Sequence, residues 1–235
     1  VGTEAPARAL GVAAGSGGAL ALALLTSGLA PERGLAFALV IEAIAVALAA
    51  PTVALRPLEK KESRSARRAL EAFLAFALVL VLATALRGGS PASALLAQLY
   101  VLLHAAALFF LSRAASERLG AGAGLALGLG AGLLLLGAPY FTGDAIGALP
   151  HGVEERAIGL LVVFSPALAL PGSFAGLDVL RGATLYDRFA PVQDVPWSYA
   201  TPVEALLAQA LFAGLMLGAS LLLRRRRESA PSATP

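Results

Sequence analysis

Long apolar runs separated by short polar punctuation organise this chain. One run covers residues 9–30, and after the turn Pro31-Glu32-Arg33 a second covers 35–55, interrupted by Glu42 and carrying Pro51 near its end. Two more, 69–86 and 91–112, are joined by the short RGGS turn, and RAASER leads into a fifth at 119–137. The last run, 203–223, ends in Arg224, Arg225, Arg226 and Arg227, which open a basic tail, 224–235. A spanning helix needs about 20 mostly apolar residues, so this pattern predicts six transmembrane helices. Residues 138–202 hold only one shorter apolar stretch, Ala157 to Pro171, because Asp178, Arg181, Asp187, Arg188 and Asp194 interrupt the chain beyond it.

Composition sets the class. The chain is 58% hydrophobic and 14% charged, against roughly 25% charged in an ordinary soluble domain. A water-soluble fold of this size could not cover such a core, so the expected fold is all-α, a polytopic integral membrane protein forming a single transmembrane domain over 1–235. The net charge of +3 does not indicate nucleic acid, since the cations lie between and after apolar runs, where membrane topology places them. There is no cysteine, which excludes disulfides, thiolate metal sites and cysteine nucleophiles. The first run is longer than the core of a signal peptide and lacks a clear cleavage site, so it is expected to be a retained helix.

The distribution of Lys and Arg then predicts sidedness. In RPLEKKESRSARR, Arg56, Lys60, Lys61, Arg64, Arg67 and Arg68 outnumber Glu59 and Glu62. Such clusters stay on the cytoplasmic side, which places this loop, the arginine tail and both termini inside. Helix five then delivers the chain outside at Ala138, and the last helix must start there. The segment 138–202 therefore makes no net crossing, and FSPALALPGSF, with Pro166 near its apex and Pro171-Gly172 on its way out, is expected to be re-entrant or interfacial. Backbone of that kind at depth is tolerated only under a cover of protein or around a cavity. Tyr140, Phe141, Trp197 and Tyr199 flank the segment, as aromatic rings do at the headgroup level.

The candidate chemistry is sparse. GAGAGLALGLGAG is neither a dinucleotide fingerprint nor a phosphate loop, lacking the required glycine spacing and the Lys followed by Ser or Thr. Its Gly120, Gly124, Gly128 and Gly132 recur every four residues and predict one side-chain-free face for close helix packing, with a substrate-lining surface as the alternative. Glu42, well inside the second run, costs roughly 2.5–3.5 kcal/mol at mid-membrane on insertion scales. It is expected to be hydrogen bonded, with Ser16 or Thr26 as candidate partners, or to serve a substrate or proton role. His104 falls midway along the fourth run; a bis-histidine haem would need a second intramembrane histidine, so a hydrogen-bonded structural histidine is expected. His151, Glu154, Glu155 and Arg156 match no metal or protease spacing and are read as a solvated loop face. No G-x-S-x-G elbow is present. No catalytic residue, cofactor or metal is assigned, and the chain is not expected to be an enzyme.

The passage LRGGSPASALLAQLYVLLHAAALFFLSRAASERLG, the FSPALAL stretch and the downstream GLDVLRG resemble the membrane permease of ABC-2 type transporters, over most of the chain from Leu35 onward. The resemblance implies an exporter subunit in a bacterial inner membrane, moving its substrate by alternating access between paired permeases, as a homodimer or heterodimer. A separate ATP-binding subunit would dock on Arg56, Lys60, Lys61, Arg64, Arg67 and Arg68 and supply the hydrolysis, since this chain has no Walker motif. The rival readings are a non-transporting scaffold subunit of a membrane complex and an intramembrane enzyme built on Glu42, His104 or the His151 to Glu155 cluster.

Overall fold

Local sequence marks the start of several of the long helices. The computed structural model describes residues 20, 23, 27–55, 63–179 and 198–228. Helix α1 (Pro31–Ala54) begins with proline in its first turn, where the missing N–H is no loss. Helix α2 (Ser63–Leu86) leads through the Arg87 to Ser90 turn into α3 (Pro91–Leu119). Ser90 caps α3 by accepting from Ser93 N at 3.2 Å. Gly120, at φ +91°, is the single residue between α3 and α4 (Ala121–Phe141), a conformation that costs glycine nothing. The short α5 (Gly143–Gly147) and α6 (His151–Phe164) come next, then α7 (Pro166–Ala169), continued by a π-helical turn, Leu170–Phe174. Helix α8 (Pro202–Glu228) opens on a reciprocal capping box: Thr201 N donates to Glu204 Oε2 at 2.8 Å and Glu204 N donates to Thr201 Oγ1 at 3.3 Å.

The described residues contain no strand. Four helices, α1, α3, α4 and α8, are long and apolar enough to cross a membrane, and α6 with α7 and the π turn would make a fifth if that bent pair is one span. The fold is thus all-helical with four to five candidate spans. The predicted run 9–30 lies mostly outside the described residues, and of 69–86 the apolar helical stretch is Phe73–Leu86. Two predicted boundaries are corrected. Helix α2 starts at Ser63, so Arg64, Arg67 and Arg68 ride on the helix instead of in a loop. RAASER is not a connector but the last turns of α3, where Arg113 and Glu117 pair at 3.5 Å across one turn.

Helix α3 is the centre of the bundle: α8, α4, α1 and α2 all pack on it, and the π turn touches both α3 and α1. The interior is built largely from small residues. Ala38, Ala43 and Ala47 of α1, Ala94, Ala97 and Ala107 of α3, and Ala205 and Ala213 of α8 are buried, whereas Phe37, Ile41, Leu78, Leu82, Leu207, Leu211 and Leu215 face outward. This inverts the soluble pattern for a physical reason. It is the pattern expected of helices in lipid, which is as apolar as a leucine core, so that helices gain by close backbone approach, which small residues permit, and large aliphatic side chains lose nothing by facing out. At the other end of α2, Arg87 holds Ser27 and Leu29: its guanidinium donates to Ser27 Oγ at 3.3 Å, to Ser27 O at 3.1 Å and to the Leu29 carbonyl.

Candidate functional site

Polar side chains from three helices gather inside this apolar bundle. Helix α3 supplies Gln98, Tyr100 and His104, α1 supplies Glu42 and α8 supplies Gln209, and all five are buried. Tyr100 and His104 stand one turn apart on a shared face of α3. Gln209 reaches that region because its neighbours along the inward stripe of α8, Ala205 and Ala213, are too small to keep the helices apart.

Two hydrogen-bonded units result. Gln98 Nε2 donates to Glu42 Oε2 at 2.6 Å, joining α3 to α1. Gln209 Nε2 donates to the Tyr100 hydroxyl at 3.0 Å, joining α8 to α3, and that hydroxyl donates to the Val163 carbonyl at 2.9 Å. The Tyr100 ring also lies 5.5 Å from that of Phe174, tilted by 59°, so one side chain contacts both arms of the bent segment. Several buried atoms have no partner: Glu42 Oε1, Gln98 Oε1, Gln209 Oε1 and both ring nitrogens of His104. Gln209 lies within electrostatic reach of His104 without the geometry of a hydrogen bond.

The bent segment has its own local logic. Between α6 and α7 the axis turns by 83°. Pro166 brings no N–H to the end of α6, so the last carbonyls of that helix need other donors. Leu161 O is reached by Ser165 N at 2.9 Å, and Val163 O by Tyr100. Ser165 O then starts the next turn, accepting from Leu168 N at 3.0 Å and Ala169 N at 2.8 Å. The sequence pattern puts the apex near Pro166, and the break falls at Ser165, but the second arm runs nearly at right angles instead of folding back as a tight hairpin. In the π turn, a Cβ at Gly172 would overlap the Tyr199 ring, which therefore lies directly on that backbone.

The other residues singled out by the sequence are scattered over the bundle. Gly124, Gly128 and Gly132 line the face of α4 that meets α3 and α1: a Cβ at Gly124 would lie 2.6 Å from Ser112 O, one at Gly128 would strike Ser112 Oγ and come within 2.8 Å of Pro51, and one at Gly132 would lie 3.0 Å from Ala47 Cβ. Gly120 is corrected: a Cβ there would meet nothing within 4 Å, and the residue serves the turn instead of the packing face. Glu42 pairs with Gln98 of α3; its predicted partners Ser16 and Thr26 lie outside the described residues. The hydrogen-bonded histidine expected at 104 is not observed. Glu154 is buried, Glu155 and Arg156 are exposed, and no group of three or more candidate metal ligands occurs among the described residues. Arg56, Lys60 and Lys61 lie outside the described residues, while Arg64, Arg67 and Arg68 occupy the first turns of α2.

Sequence reasoning misses Gln98, Tyr100 and Gln209. Each amide is isolated in a long apolar run, the same signal that marks Glu42. The arrangement is chemically a set of interhelical hydrogen bonds closed off from solvent, which ties α1, α3, α8 and the α6–α7 elbow into one unit. No family model, curated protein or solved structure matches the chain.

Proposed function

We propose that the chain is the membrane subunit of an ABC-type exporter, placed in a bacterial inner membrane with the start of α2 and the end of α8 in the cytoplasm. The observation that carries this reading is the α6–α7 elbow. Its break is tied to Tyr100, which lies about 14 Å along α3 from Pro91 at about 1.5 Å per residue, or half of a hydrocarbon core of about 30 Å. An element that turns at half depth and is held there by α3 serves as a re-entrant segment between the fifth and last spans, as in the permeases this sequence resembles. The continuity of α2 favours the same reading. Arg64, Arg67 and Arg68 sit on the same helix as the apolar stretch Phe73–Leu86, so a push from an ATP-binding partner would pass into the bundle without an intervening joint. Substrate would then move by alternating access at an interface between two permease chains.

Purification from native membranes in mild detergent tests this. An ATPase should accompany the wild-type chain and be lost from the Arg64→Gln, Arg67→Gln, Arg68→Gln variant. Absence of any ATPase from the wild-type preparation would overturn the exporter reading in favour of a scaffold subunit, which the closed polar cluster also suits.

A further inference from the structure

An apolar cleft of about 590 Å³ opens between the end of α4, α5, α6 and α8. Leu135, Ile146, Leu160, Leu161, Phe164 and Phe212 form most of its wall, and Phe164 and Phe212 close one end edge to face at 6.0 Å. Only two hydroxyl residues border it. Thr142 Oγ1 already donates to Ala138 O at 2.7 Å, and Ser165 Oγ is buried behind the surface. Water needs two to four polar partners to be held in a cavity, and this wall offers too few, so hydrocarbon is the medium that fills it. The volume falls in the range of roughly 300–1,000 Å³ typical of small-molecule sites.

Charge marks one end. Arg156 is exposed and precedes Leu160 and Phe164 by one and two turns on the same face of α6, so a cation stands in line with the cleft, toward the polar start of the helix. Exposed Glu155 is its neighbour and exposed Asp144 opens α5, which disfavours a purely anionic headgroup and suits one carrying both a phosphate and an amine.

We propose that the cleft holds one acyl chain of a zwitterionic bilayer phospholipid, with its phosphate at Arg156 and its tail running past Leu160 toward Phe164 and Phe212. The site rests on the membrane placement of α4, α6 and α8 and is independent of the transport reading.

The test uses the full chain in nanodiscs containing a trace of phosphatidylethanolamine bearing a photoactivatable diazirine on one acyl chain. Cross-links mapped by mass spectrometry should concentrate on Leu160 to Phe164 and Phe212, above the yield on the outward Leu207 and Leu215 of α8. Ala157→Phe, which fills the cleft, should reduce the first set and leave the second unchanged. Arg156→Gln should lower capture of the phospholipid probe by at least about tenfold, the loss of one charge-assisted hydrogen bond to a phosphate, and leave a diacylglycerol probe with the same tail unaffected. Should Ala157→Phe not accumulate, competition by unlabelled phosphatidylethanolamine against wild type replaces it, and cleft cross-links should fall at lower lipid ratios than those on α8. Equal yields in the cleft and on the α8 face, or equal competition at the two, would overturn the proposal.

Discussion

The hydroxyl of Tyr100 donates to the carbonyl oxygen of Val163 at 2.9 Å while accepting from Gln209 at 3.0 Å. A helix end created by Pro166 is thereby completed from a different helix, and the same oxygen ties in α8. The elbow is held by a tertiary contact as well as by its own sequence.

Tyr100→Phe keeps the ring against Phe174 and removes only the hydroxyl. The loss should be about 0.6–1.7 kcal/mol, the range for interhelical hydrogen bonds in membranes, read as a shift in the midpoint of detergent-induced unfolding. Because Val163 and Gln209 both lose their partner, the effect is expected at the upper end. An unchanged midpoint would show that the hydroxyl does not hold the elbow.

Two glycines of α4 should respond with opposite sign. Gly128 lies against Ser112 and Pro51, whereas a Cβ at Gly130 would meet nothing within 4 Å. Gly128→Ala is expected to destabilise by about 1–3 kcal/mol through overpacking. Gly130→Ala should be neutral or stabilising by up to about 1 kcal/mol, the helix-propensity difference. The pair can be compared in one unfolding series.

At Glu42 the outcome depends on shape and hydrogen bonding together. Glu42→Gln preserves an acceptor for Gln98 Nε2 and should accumulate and unfold like wild type. Glu42→Leu leaves the buried Gln98 amide unpaired and should lower stability by about 1–3 kcal/mol. On the exporter reading, loss of activity in Glu42→Gln at wild-type abundance would instead assign the carboxyl a direct role.

Because the chain has no cysteine, single introduced thiols report sidedness on a clean background. A cysteine at exposed Asp178 should react with an impermeant maleimide from outside intact cells, and one at Ser63 only after permeabilisation. The reverse pattern would invert the proposed orientation.

The class is legible in the sequence because run length and scarcity of charge are properties of whole segments. Four of the predicted spans correspond to the candidate spans α1, α3, α4 and α8, and the break at Ser165 stems from Pro166, which is explicit in the sequence. Which face of each helix points inward is less accessible. In α1 both Leu39, fully buried, and Ile41, outward, are aliphatic, so hydrophobic periodicity carries no signal, and the size pattern of alanine against leucine carries it instead. The polar cluster is half visible. Glu42 and His104 stand out as ionisable residues in apolar runs, but the Glu42–Gln98 pair joins residues 56 apart in sequence and the Gln209–Tyr100 pair residues 109 apart, and no local pattern encodes such meetings. RAASER resembles a loop because it is polar, yet its Arg113–Glu117 spacing fits a helix.

Arg87 fastens one end of α2 to the backbone at Ser27 and Leu29, while the Ser63 end lies some 24 residues away, or about 36 Å at helical rise. Were the helix to tilt against α3 and α1, this fastening would be the point about which it turned. A tilt of about 5° at the fastening would sweep the arginine-bearing tip through about 3 Å over that length, with little displacement at Arg87. Geometric amplification of that kind would require no hinge within the helix, with the grip of one guanidinium as its fulcrum.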